Sequence, residues 1–566
     1  MYPTIADLGF IGDRRTSAAV GRDGTVYWFA PRRFDRPSIF NGLLDPAKGS
    51  WRIIFPGASP AARRYIGSSA VLETRLAGSS GTLVIEDWMT MGEDAHPGVF
   101  CRMLSPAPVA ITIALDAWEE YGGRRALPVL SGGAAVFEDG LHVFASHPMR
   151  LEGGSLQCVV PKGNVGWTII ADGPTAMPDG EAIRGWKAAT LARWDELDET
   201  TTYAGPFAPE VAASLRQLRL LVFEPTGGVA AAVTAGLPEV IGGKRNYDYR
   251  YCWLRDTALV VRALLRTTRR TREGDSFLRL FAQSRETRTR NPLDAVVTVD
   301  GRPAPGEFNP PLAGYCGSGP VRIGNRAAKQ FQLGALGTFL LAAGLLYCER
   351  RARPHWDVVA ATADFVAGHW HLADSGIWES EEQRQYTTSK VFAACGLEAI
   401  AGFADAARQR HYRSAAQAIR RYVMRHCLTP KGAFAAFVGS TNVDVSSALF
   451  PVWGFCEPDS AEMEATLSAL YRRYETRGVF RRADETPQSN EEGAFLPGGF
   501  WVAQYWAMRG DEARARHHIE AGLRHANDLG ILPEEAHWRT GQALGNVPLG
   551  MAHASFLSAV AELAGG

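Results

Sequence analysis

The chain lacks a net charge: across its 566 residues, 60 basic side chains balance 60 acidic ones. No Lys/Arg-rich stripe disturbs that balance, so the electrostatic footprint of a nucleic-acid binder is absent and an uncharged substrate is the natural partner class. The eight cysteines (Cys101, Cys158, Cys252, Cys316, Cys348, Cys395, Cys427 and Cys456) never fall in Cys-x-x-Cys spacing. Neither a zinc site nor a disulfide framework is expected, and a reducing, cytoplasmic setting is. The 13 histidines form no His-Glu-x-x-His arrangement, and His369 and His371 stand two apart, which turns them away from one another on a helix. No metal and no cofactor are expected. The uncharged run Leu333 to Cys348 contains three glycines and is shorter than the ~20 residues that cross a bilayer, so it reads as a buried helix and no membrane partner is expected. Gly314 to Gly324 is glycine-rich without the Lys-Ser/Thr of a phosphate loop, which leaves a pocket loop as its reading. Met1 to Asp7 shows no basic stretch followed by an apolar core, so no secretory signal is expected there.

What is present divides the chain. Residues 1–185 carry short apolar or alternating runs, such as Gly81 to Ile85, Val109 to Ala114 and Gly166 to Ala171, separated by Gly, Pro and Asp turns. These predict an antiparallel β-sandwich, of supersandwich type. Residues 186–205 turn helical and charged, as a connecting helix would. Residues 206–566 alternate amphipathic helices with Gly/Pro-bearing loops, among them Thr257–Thr267, Phe331–Arg350, Val391–Ala406 and Ala552–Leu563. About a dozen such helices can close into a double ring, an (α/α)6 barrel, and no fixed-period repeat argues for a solenoid. The fold class expected is a multi-domain β + α chain.

Three segments concentrate chemistry. Gly243 to Asp256 reads Gly-Lys-Arg-Asn-Tyr-Asp-Tyr-Arg-Tyr-Cys-Trp-Leu-Arg-Asp. Aromatic faces stack on the C–H faces of a pyranose, while Arg and Asp bind its hydroxyls in fixed geometry. Asp374-Ser-Gly-Ile-Trp-Glu379 and Asn490-Glu-Glu492-Gly-Ala-Phe-Leu-Pro-Gly-Gly-Phe-Trp501 each add acids beside aromatics. Glycoside hydrolysis needs two carboxyl groups flanking the scissile bond, one protonated and one ionised. A carboxyl at Glu379, held against Trp378 and neighbouring acids, should have the raised pKa of a general acid.

Together these segments resemble glycoside hydrolase family 15, the glucoamylases with their glucoamylase-like and trehalase relatives. The resemblance extends from Ile5-Ala-Asp-Leu-Gly-Phe-Ile-Gly-Asp-Arg-Arg-Thr16 and Asp23 to Trp28, through Gly314-Tyr-Cys-Gly-Ser-Gly-Pro-Val-Arg-Ile-Gly-Asn325, to Gly545-Asn-Val-Pro548. It implies that Arg255 and Asp256 grip the terminal glucose, that Glu379 is the general acid, and that the base, nine residues before Trp501, is Glu492, with the adjacent Glu491 as the alternative. Trp28, Trp253, Tyr315, Trp378, Lys390 and Trp501 complete the implied substrate-binding set. The chain departs from the family pattern at Gln385 to Thr388, at Gly334 and at Gly498-Gly499, the last following the base. The function implied is an inverting, exo-acting α-glucosidase on an oligosaccharide or disaccharide, without metal or cofactor. An α,α-trehalase, a glucosyl transferase and a non-catalytic sugar-binding protein are the alternatives, and a homo-oligomer is compatible with the chain.

Overall fold

The computed structural model describes residues 2–92, 98–198, 203–268, 270–284, 292–482 and 492–565. Its N-terminal part is two eight-stranded antiparallel sheets. One runs in the order Gly9–Gly12, Ser17–Val20, Val26–Phe29, Ser50–Ile54, Ile111–Glu119, Ser155–Val160, Met149–Glu152, with Arg124–Ala126 also paired to the long strand Ile111–Glu119. The other runs Val129–Ser131, Ala134–Val136, Leu141–Ala145, Gly166–Asp172, Val99–Leu104, Gly81–Met89, Leu72–Gly78, Ser59–Tyr65. Trp51 of the first sheet meets Phe100 of the second edge-on at 4.9 Å, and Phe29 meets the same ring at 5.4 Å, so large aromatics fill the space between sheets. A fully buried ion pair lies there too. Arg102 donates from Nε and Nη2 to the two oxygens of Asp87 at 2.7 and 3.0 Å, and from Nη1 to the Trp51 carbonyl across the sandwich.

Helix α1 (Gly180–Asp198) follows and lies against the second sheet, where Thr190 exchanges hydrogen bonds with Met91 and Trp194 is fully buried. Eleven further helices are described: α2 (Ala208–Leu221), α3 (Leu254–Thr268), α4 (Arg272–Ser284), α5 (Leu333–Arg350), α6 (Trp356–His369), α7 (Thr387–Ala401), α8 (Ala406–His426), α9 (Ala461–Tyr474), α10 (Leu496–Met508), α11 (Glu512–Leu523) and α12 (Gly550–Leu563). An inner ring runs α3, α5, α7, the 3-10 turn Val445–Leu449, α10, α12 and back to α3. Thr388 of α7 is joined to Ser446 of that turn by a 2.7 Å hydroxyl pair. Outer helices cover it, with α4 against α3 and α5, α6 and α8 against α5 and α7, α11 against α10, and α2 against α12.

Composition sorts the rings. Helices α3, α5, α7, α10 and α12 are buried nearly all round, whereas α8, Arg-rich and strongly amphipathic, buries only one stripe. The glycines of α5 let α7 approach: a Cβ on Gly337 would stand 2.4 Å from the Phe392 backbone. Helix α5 is long and apolar enough to cross a membrane by length and composition, and 72% of its window is buried inside this ring, as a barrel helix is. The sequence pattern missed α4, whose apolar stripe Phe277, Leu278, Leu280 and Phe281 is short and interrupted by charge.

The two parts are tied together at the first barrel loops. Arg250, fully buried, is clamped by both oxygens of Asp248 and reaches the carbonyls of Phe34 and Arg36 and the hydroxyl of Tyr121 in the sandwich. The segment that reads as sugar-binding is thereby held from behind.

Candidate active site

A cavity of about 380 Å³ opens at the end of the barrel where the inner helices begin. Its walls come from the residues that precede or open α3, α5, α7, α10 and α12. In the Tyr247 to Asp256 stretch the work is divided along the chain. Asp248 and Arg250 turn to the sandwich, while Tyr249, Trp253, Arg255 and Asp256 face the cavity. The short strand Cys252–Trp253, paired with Val296–Val297, sets this orientation, and α3 starts directly after it.

Arg255 and Asp256 form a buried pair, Nε to Oδ1 at 2.7 Å, and the same guanidinium donates to the Ile377 carbonyl at 2.5 Å. Its Nη1 lies 3.6 Å from an oxygen of Glu379. Glu379 sits at φ +61, a left-handed conformation costly for a residue with a Cβ, on a loop closed by the Asp374 to Arg384 bridge. Asp374 anchors that loop by accepting from the Leu333 N–H and the Ser389 hydroxyl. Trp253 Nε1 donates to the Glu379 carboxyl at 2.6 Å, and Gln330 donates to its carbonyl at 2.9 Å. Burial pushes the Glu379 carboxyl above the usual range; the Asp256 charge adds to this and Arg255 opposes it. Trp378, next to it, donates to Asp444 at 2.6 Å and stands edge-on to Phe495, another wall residue.

Glu534 is a further buried carboxyl on the cavity wall, which Glu239, Glu307 and Glu381 also line. It is 2% exposed and accepts from the Tyr249 hydroxyl at 2.8 Å and from the Asn546 N–H at 3.1 Å. Burial raises its pKa; the nearby Glu239 charge adds to the rise and Arg482 counters it.

Glu492 is the base that the sequence leads one to expect. It is 3% exposed, is not part of the cavity wall, and is held by Arg482 at 3.2 and 3.3 Å and by a close contact to Arg245. Both arginines stabilise its ionised form and hold it away from the cavity. Glu491 lies outside the described residues. Glu239, Glu492 and Glu535 converge closely enough to suggest a cation, but Arg482 bridges all three and Arg245 adds to two, so two guanidinium groups already occupy the place between the carboxylates.

Of the other expected contacts, Trp253 and Trp378 lie in the wall. Four do not, and each has a structural task instead. Trp28 is buried and donates to the Val233 carbonyl; Trp501 is buried behind Trp378 and donates to Ser555; Tyr315 donates to the Pro3 carbonyl. Lys390 is buried and donates to the carbonyls of Trp370 and Leu372, with burial lowering its pKa to about 8. Sequence reasoning passed over Glu534, Tyr249, Glu239 and Arg482. The available signal for Glu534 was two adjacent acids inside an apolar run, Ile531-Leu-Pro-Glu-Glu-Ala536, just ahead of the Gly545 to Pro548 motif.

The arrangement places two protonatable carboxyls in one pocket beside an Arg-Asp pair and aromatic surface, which suits acid-base cleavage of a sugar acetal. Comparison with known proteins agrees with that chemistry. The model of glycosyl hydrolases family 15 matches residues 206–509. A trehalase from Mycolicibacterium smegmatis is 28% identical, covering 99% of this chain and 91% of that protein. A trehalase from Thermoplasma volcanium is 27% identical, covering 99% and 94%. A bacterial glucoamylase complexed with acarbose superposes with a TM-score of 0.76 at 12% identity, over 99% of this chain and 94% of that one, which establishes a shared fold.

Proposed function

This chain belongs to glycosyl hydrolases family 15 and is a glycoside hydrolase, and we propose from its site that it removes a terminal α-linked glucose with inversion, using Glu379 as general acid and Glu534 as general base. The observation that carries the assignment is that these two carboxyls, both raised by burial, share the cavity with Arg255 and Asp256. The family match ends at residue 509, so the choice of Glu534 rests on geometry.

In this reading the terminal glucose enters first, and its hydroxyls are gripped by Arg255 and Asp256. Glu379 gives its proton to the glycosidic oxygen as the bond to the anomeric carbon breaks. A water on the opposite face, its proton taken by Glu534, attacks that carbon, so the released glucose is the β anomer. Tyr249 and the Asn546 N–H orient the Glu534 carboxylate, and their hydrogen bonds favour its ionised form. The departing group takes the acid's proton, and the two carboxyls finish with exchanged protonation states that solvent resets.

α,α-Trehalose is the substrate this reading places first, because the relatives that match along nearly their whole length carry the name trehalase. Inversion at one centre of trehalose yields one α- and one β-glucose per turnover. Maltose is the second reading. It is favoured by the glucoamylase from Schizophyllum commune, 26% identical over 41% of both chains. Proton NMR of the nascent sugar from trehalose, maltose and isomaltose tests the proposal: one early β-glucose per α-glucose from trehalose, or an early excess of β over the equilibrium mixture from the other two, supports it, and an early excess of α-glucose sinks it.

A further inference from the structure

We infer that Arg326, bridging Glu307 and Glu381 across the mouth of the cavity, sets the length of substrate this enzyme accepts. The inference rests on the proposed reading of the site, in which the terminal sugar lies deep and the leaving group lies toward solvent.

The geometry has three parts. The bottom of the cavity is buried: Trp253, Arg255 and Asp256 are almost closed to solvent. The mouth is charged and exposed, with the Arg326 side chain 61% and the Glu381 side chain 86% accessible, although both belong to the same wall. One guanidinium joins the two sides: Arg326 Nε lies 3.4 Å from Glu307, and its Nη1 lies 3.4 Å from Glu381.

Neither end is an arbitrary surface carboxylate. Glu307 is held independently by Arg322 at 3.1 Å, and its loop is pinned by the Phe308 to Ile323 bridge. Glu381 stands two residues beyond Glu379 on the acid-bearing loop, whose other anchor, Gln330, is on the same segment as Arg326. The pair therefore ties the segment before α5 to the loop of the acid, over the side where a leaving sugar must sit. An ion pair this exposed contributes ~0–1 kcal/mol to folding, so stability is a poor reason for its position. Guanidinium and carboxylate groups at that place can bind the hydroxyls of one further sugar, and their closure blocks a chain continuing outward.

The test uses the full chain with Arg326→Ala and Glu381→Gln. Three substrates are compared by kcat/KM: α-glucosyl fluoride, whose leaving group carries no sugar; the disaccharide the wild type cleaves best; and the trisaccharide made by adding one glucose to the leaving unit. In both variants the trisaccharide-to-disaccharide ratio should rise about fivefold or more, and the disaccharide-to-fluoride ratio should fall by a similar factor. Raised salt should shift the wild type in the same direction, because an exposed pair is screened. Equal loss on all three substrates, or ratios within about twofold of the wild type, would overturn the inference. Wild-type inactivity on the fluoride as well as on the sugars would instead overturn the reading of the site, and the inference with it.

Discussion

Tyr249 donates its phenolic proton to Glu534 at 2.8 Å, joining the first loop of the barrel to a residue 285 positions further along the chain. The bond stabilises the ionised carboxylate and, with the Asn546 N–H on the other oxygen, fixes its orientation. Tyr249→Phe should lower kcat by about tenfold to a hundredfold, the loss expected for one hydrogen bond to a charged group. Without that donor the Glu534 pKa rises further, so the acidic limb of the pH–rate profile should move to higher pH. A profile that keeps its acidic limb while the rate falls would assign the tyrosine to substrate contact instead.

The two glutamates compete directly for the role of base. Glu534→Gln and Glu379→Gln should each cost ~10²–10⁴ in rate while the protein stays folded. Glu492→Gln should act mainly on stability, since it removes one charged partner from Arg482 and Arg245, which keep Glu239 and, for Arg482, Glu535; the loss of a charge-assisted hydrogen bond costs ~1–3 kcal/mol. Measured below its lowered melting temperature, it should retain far more activity than Glu534→Gln. The reverse order would restore Glu492 as the base.

Asp256 raises the pKa of Glu379, and the acid must be protonated to work. Asp256→Asn removes a negative charge, so the Glu379 pKa falls and the alkaline limb of the profile should move to lower pH. The overall rate falls as well, because a glucose contact is lost. A rate loss with an unmoved alkaline limb would show that the two carboxyls do not communicate.

The sandwich carries its own buried ion pair. Asp87→Ala leaves Arg102 uncompensated between the sheets and should destabilise the protein by ~3–5 kcal/mol, read from chemical denaturation. KM at a permissive temperature should stay unchanged, because the pair is remote from the cavity wall.

How far the site was legible follows from the kind of signal each residue left. Tyr249, Trp253, Arg255 and Asp256 lie in one short stretch, so their convergence follows from local chain geometry, and the Trp-Leu-Arg-Asp pattern marks the last three but not the tyrosine. Glu379 stands out because it follows an aromatic in a turn. Glu534 left a weaker mark, two acids in an apolar run, while Glu492 had the stronger local pattern beside Trp501. Counting along the chain cannot distinguish a carboxylate aimed at a pocket from one buried against arginines.

The sequence by itself determined the two-part architecture, because period-two alternation and helical periodicity are local properties, and its uncharged run marked α5 as a buried helix. It also determined the chemistry available: aromatics, arginines and acids near helix starts. Tertiary structure alone decided which carboxyls line the cavity. Closing the ring brings the loop before α12 against the loop before α3, so that Glu534 meets Tyr249 while Glu492 meets Arg482 and Arg245. That choice depends on contacts between residues far apart in the chain, where burial and pairing, rather than residue type, set what a carboxylate can do.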